Sequence, residues 1–181
     1  GRASCPAPLL GAIGANFAFA TQQSNTTHAL LEDLHQGKAM IALALGAFDG
    51  DPSAGRVEIR GDTLSGKASF VEDAQTATHF LIFTDAPVGV AVVANDAPGL
   101  KMQVTPGLAV PPFSELTFEN TPAMQLSIPS ETLADVALIM RLACAGRALG
   151  AAQRAFELAV DHTKIRKQFG QLIGQFQAVQ H

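Results

Sequence analysis

The chain has 181 residues, 48% of them hydrophobic, and a formal charge of -4. That is enough apolar material for one substantial domain or two small ones with packed cores, and it excludes a disordered chain. The acidic balance supplies no basic field for a phosphate backbone, so nucleic acid is excluded as a partner, and no apolar run is long enough to span a membrane.

Residues 8–37 read as helix. The stretch "LLGAIGANFAFA" is small and apolar, and "THALLEDLHQG" sets Leu30, Leu31 and Leu34 on one face before Gly37 ends the pattern, with Thr27 as the expected cap. No secretory h-region precedes it, and an aqueous compartment follows.

From Lys38 to about Ser127 the texture is that of strands. "MIALALGAF" and "THFLIFT" are continuous apolar runs, whereas "RVEIRG" and "ELTF" alternate. Clusters of Gly, Pro, Asn and Asp separate them ("DGDPSAG", "DAPVG", "NDAPG", "TPG"). About seven short strands at this spacing predict a sandwich or barrel whose edges need covering.

From Ser130, a capping residue followed by Glu131, the chain runs without proline to Gly170, which predicts one helix of roughly thirty-odd residues. Its middle is rich in Ala and Gly, so neighbouring helices can approach closely, and a helix this apolar requires a bundle or another chain around it. Cys5 and Cys144 are far apart and suit free thiols in a reducing compartment. His28, His35, His79, His162 and His181 show no metal-ligand spacing, and no metal site is expected.

The closing stretch reads "RKQFGQLIGQFQAVQH": an arginine followed by Lys-Gln-Phe-Gly and, seven residues after that Phe, by Phe-Gln-Ala-Val-Gln. With "LLEDLHQGK", "LSGKASFVEDA" and "FSELTFENTPA" upstream, it resembles the acyl-CoA dehydrogenase family. The resemblance implies an α+β, multi-domain fold: residues 1–37 end an N-terminal helical domain, 38–127 form a middle β-domain (sandwich or barrel), and 128–181 begin a C-terminal four-helix bundle.

It also implies FAD shared across the interface of a homo- or hetero-oligomer, an acyl-CoA substrate and an electron-transfer partner. The compartment would be cytoplasmic in a bacterium or the mitochondrial matrix in a eukaryote. Arg166, Gln168 and Phe169 would reach the diphosphate and adenosine of a neighbour's FAD, with Phe176 and Gln177 as a second contact. The residue chemistry suits this: a guanidinium offers a pyrophosphate a charged fork of donors, an amide can bond a phosphate or ribose oxygen, and a phenyl ring offers a face to adenine.

In the family, a glutamate removes the α-proton of the thioester while hydride leaves the β-carbon for the flavin. That base is expected beyond residue 181, and Glu131, Glu157 and Asp161 have no claim to it. Three positions depart from the family pattern. The segment at Ala44–Ala47 lacks Thr and Glu and is followed by no Gly-Ser-Asp turn, Phe70-Val71-Glu72 replaces an aromatic-aliphatic-hydroxyl triplet, and Arg141 keeps a substrate-side arginine but has Leu138 where an acidic or amide companion is usual. Phe70 remains a candidate flavin contact and Arg141 a candidate substrate contact. An intact segment for a neighbour's cofactor beside these losses implies a supporting subunit of a heteromeric dehydrogenase. The competing expectation is a non-enzymatic scaffold that keeps the family shape.

Overall fold

The computed structural model describes residues 9–20, 22, 24–46, 52–85 and 87–181. These fall into two compact units, Pro6–Arg141 and Leu142–His181.

The first unit opens with helices α1 (Leu9–Ala20) and α2 (Asn25–His35). The cap of α2 is Ser24 rather than Thr27. Ser24 has extended backbone (φ -84, ψ 135), and its hydroxyl accepts the Thr26 N–H at 3.3 Å. Ser24 is the first hydroxyl of the Ser-Asn-Thr-Thr run and so takes the orphan amide, while Thr27 lies buried inside the helix and donates to the Ser24 carbonyl at 2.8 Å.

Among the described residues of this unit eight strands follow: β1 (Ile41–Ala44), β2 (Val57–Arg60), β3 (Thr63–Val71), β4 (His79–Asp85), β5 (Val88–Ala94), β6 (Leu100–Val104), β7 (Ser114–Pro122) and β8 (Met124–Leu126). They form two four-stranded sheets, ordered β1-β4-β5-β8 and β2-β3-β7-β6. Of the two architectures expected from sequence, this is a sandwich. Only β1 and β4 pair in parallel among the first sheet's strands, with Ile41 opposite His79.

The pattern of apolar runs has a direct cause. The first sheet is buried on both faces. Ala42, Phe80, Ile82, Ala91 and Val93 meet Val57, Leu64, Leu116 and Phe118 of the second sheet. Ile41, Leu81, Phe83 and Val90 face Ala15, Ala18 and Phe19 of α1 and Leu30 of α2. Strands with no solvent face cannot alternate, so β1 and β4 read as unbroken hydrophobic runs, while β2 buries every second residue and does alternate. Each fully buried Phe or Leu side chain contributes about 1.5–3 kcal/mol. Helix α1 lies directly on β1: a Cβ at Gly11 would stand 1.8 Å from the Ile41 carbonyl oxygen, so only glycine permits the contact.

Helix α3 (Ser130–Ile165) begins in this unit, where Leu133, Val136 and Met140 bury themselves in the α1–sheet cluster. In the second unit the same helix buries no side chain from Leu142 to Ile165. Leu142, Leu149 and Phe156 are all exposed, seven residues apart, with Ala145 and Ala152 between them. That is one apolar stripe of the width a second helix would cover.

No helix among the described residues is long and apolar enough to cross a membrane.

Candidate functional site

Phe70 and Arg141 lie in the first unit, and Arg166, Gln168, Phe169, Phe176 and Gln177 in the second. The second-unit residues occupy a structure that the sequence did not predict. Helix α3 stops at Ile165 instead of continuing to Gly170, and a small hairpin follows: β9 (Lys167–Gln168) and β10 (Gln171–Leu172), with Gln168 opposite Gln171. Its two-residue turn is Phe169-Gly170, at φ 52 and φ 83. Positive φ at both central positions is the signature of a type I′ turn, whose twist matches that of the paired strands. Glycine takes this conformation freely, but a bulky aromatic there costs roughly 1–2 kcal/mol.

The hairpin is tied down at its base. Arg166 donates its backbone N–H to the His162 carbonyl at 3.0 Å, closing the last turn of α3, and its own carbonyl accepts the Ile173 N–H at 2.8 Å. A 3-10 turn (Ile173–Gln175) then leads through Phe176 into α4 (Gln177–Gln180). The rings of Phe169 and Phe176 meet at right angles (88°) with centroids 6.3 Å apart. Phe169 is nonetheless 94% exposed. The Arg166 side chain is exposed and, among the described residues, has no carboxylate partner, whereas Lys164 beside it pairs with Asp161 at 3.2 Å. Gln168 and Gln177 are exposed as well. The tip thus presents a permanent cation, an amide and an unshielded aromatic ring on fixed backbone.

In the first unit, Phe70 sits at a bulge of β3, where the register with β7 shifts between Ala68 and Val71. It too has left-handed backbone (φ 59), is half-exposed and meets a second ring edge-on: Phe113, with centroids 6.3 Å apart. A bulge re-aims one side chain out of the pleat, which is what frees this ring. Beside it, Glu115 receives Lys67 at 2.7 Å and Ser69 at 3.3 Å, and the Lys67 hydrogen bond holds its carboxyl below the usual glutamate range. Glu72 is half-buried in the turn that follows β3. Arg141 is exposed, and Arg154 on the same helix lies 3.6 Å from Glu157. Of the segment expected to diverge from the family, Ala44 ends β1 and Leu45 and Gly46 follow it, whereas Ala47 and the turn up to Asp51 lie outside the described residues.

His79, which shows no metal-ligand spacing in the sequence, lines a groove of about 560 Å³ with Thr26, Leu30, Asp33, Val92 and Met124. Burial pushes its imidazole below the usual histidine range, against the upward pull of Asp96 and Asp33. No sequence signal marks this groove, because its walls come from α2, β4, β5 and β8.

Residues 135–181 match the family described as "Acyl-CoA dehydrogenase, C-terminal domain". Over its whole length the chain is 33% identical to the acyl-CoA dehydrogenase IpdE2 of Mycobacterium tuberculosis, of which it covers 46%. It superposes on the Tcur3481-Tcur3483 steroid ACAD with a TM-score of 0.84 and 30% identity, over 99% of this chain and 51% of that one. The chain belongs to the acyl-CoA dehydrogenase family. Another relative, the 3-sulfinopropanoyl-CoA desulfinase of Paraburkholderia xenovorans, is 34% identical over 69% of this chain and 38% of its own length. The chain thus spans about half the length, or less, of these relatives. Acyl-CoA dehydrogenase family members are FAD flavoproteins, and the exposed cation and aromatic of the 166–169 tip have the chemistry a dinucleotide needs: a donor fork for the diphosphate and an open ring face for the base.

Proposed function

We propose that this chain is part of an FAD-dependent acyl-CoA dehydrogenase that introduces an α,β double bond into an acyl-CoA thioester, and that its 166–169 tip completes the FAD site of a neighbouring subunit. The observation that carries the proposal is Phe169. An aromatic ring left 94% exposed gains little burial energy, yet its backbone is held in the left-handed region. Strained backbone beneath an exposed ring is a feature of ligand-binding sites and supports such a role here.

Arg166 would hold the diphosphate, Gln168 a phosphate or ribose oxygen, Phe169 the adenine face and Gln177 a further polar contact, while Phe70 and Arg141 would serve flavin and acyl-CoA on the chain's own side. Bound FAD would supply the hydride acceptor. The stripe Leu142-Leu149-Phe156 calls for a second helix over it, from a helical bundle or from a neighbouring subunit. The three departures around Ala44, Phe70-Val71-Glu72 and Leu138 favour a supporting role within a heteromeric enzyme, as does the likeness to a steroid ACAD named for two components.

The test is FAD titration of the assembled protein, followed by flavin fluorescence. Arg166→Ala should weaken FAD at least tenfold and Arg166→Lys by less, since lysine keeps the charge but loses the fork. Unchanged affinity in Arg166→Ala overturns the reading. Full loading of the chain by itself, one FAD per copy, would leave the dehydrogenase but remove the supporting-subunit role.

A further inference from the structure

The family resemblance implies for Phe176 the same role as for Phe169, that of a cofactor contact. Its surroundings describe a different one. Phe176 donates its backbone N–H to the Ile173 carbonyl at 3.2 Å, and its own carbonyl accepts from Val179 at 2.9 Å and Gln180 at 3.1 Å, so it is the joint between the 3-10 turn and α4. That turn is pressed against the end of α3 at Gly174. A Cβ there would lie 3.1 Å from both the carbonyl oxygen and Oγ1 of Thr163, whose hydroxyl is already committed to the Val160 carbonyl at 2.7 Å. The half-buried Phe176 ring therefore sits on a fixed base and meets Phe169 edge-on.

We propose that Phe176 is a positioning residue. Through the edge contact it restricts the otherwise free Phe169 side chain to one orientation, so that the ring face is presented before the cofactor arrives. This rests on the reading that the 166–169 tip holds FAD. Phe169 is almost fully exposed, and its ring has no other aromatic neighbour among the described residues. Without Phe176 it would sample its rotamers in solution and be immobilised only on binding. Ordering one such side chain weakens binding by about 3- to 10-fold.

The experiment is a double-mutant cycle on FAD affinity, measured by flavin fluorescence with the assembled protein: wild type, Phe169→Ala, Phe176→Ala and the pair. Phe176→Ala should weaken FAD about 3- to 10-fold alone and cause no further loss once Phe169 is absent. Phe176→Leu keeps an apolar plug beside the turn, so it should retain the wild-type melting temperature while showing the same loss, and Phe176→Tyr should bind FAD as wild type. A Phe176→Ala loss that persists undiminished in the Phe169→Ala background makes Phe176 a direct contact and overturns the proposal. So does wild-type affinity in both Phe176→Ala and Phe176→Leu while Phe169→Ala binds weakly. If Phe169→Ala and Arg166→Ala both bind FAD normally, the cofactor reading fails, and this proposal fails with it.

Discussion

Replacing Phe169 with glycine separates a residue that supports the fold from one that serves a ligand. At φ 52 the phenylalanine backbone carries a strain of about 1–2 kcal/mol that glycine relieves. Against this stand about 0.5–1 kcal/mol of extra glycine entropy in the unfolded chain and about 0.5–1.5 kcal/mol for the lost edge contact with Phe176. The terms nearly cancel, so Phe169→Gly should change stability by no more than about 1 kcal/mol. A buried ring behaves otherwise: Phe80, 1% exposed, should cost about 3–5 kcal/mol on truncation to alanine. Urea denaturation of FAD-free protein followed by circular dichroism measures both, and the FAD titration then reads the ligand side, where Phe169→Gly should bind clearly more weakly. A loss of stability above about 2 kcal/mol would instead make Phe169 a packing residue and remove its ligand role.

Two further predictions concern the first unit. The folded state binds a proton at His79 less readily than the unfolded chain does, so this histidine contributes stability above its ordinary pKa of about 6.5 that is lost as pH falls through the lowered folded value. Denaturation at pH 7.5 and 5.5 should show a smaller acid loss in His79→Gln and a larger one in Asp33→Asn, which removes an upward pull. An NMR titration placing His79 above 6.5 would contradict this. Gly11→Ala drives a methyl into the Ile41 carbonyl, and the required shift of α1 should lower the Tm by roughly 5 °C or more, with an unchanged Tm counting against the close helix–strand contact.

The sheets were legible because burial writes itself into the sequence. Ile41–Ala44 within "MIALALGAF" and the run in "THFLIFT" are unbroken because both of their faces are covered, and "RVEIRG" alternates because one face is not. The long helix was legible from its absence of proline, but its end was not. The favoured residues of a two-residue hairpin are Asn-Gly or Asp-Gly, and a turn made by Phe-Gly carries no such mark, so Arg166–Gln168 read as a continuing helix. The left-handed backbone of Phe70 was hidden for a related reason: a bulge is set by the partner strand's register, and β7 lies more than forty residues away. The cap of α2 was misplaced among three hydroxyl residues, Ser24, Thr26 and Thr27, where only the backbone angle distinguishes the cap.

The Arg166 guanidinium is proposed to grip the diphosphate of an FAD held mainly by another subunit. The most direct measurement of this contact is the distance from that guanidinium to the nearest FAD phosphate oxygen in a crystal structure of the assembled, cofactor-loaded protein. A charge-assisted hydrogen bond of about 2.7–2.9 Å to a neighbour's FAD is expected. A guanidinium turned to solvent, or paired with a carboxylate while the diphosphate is held by other residues, would contradict it.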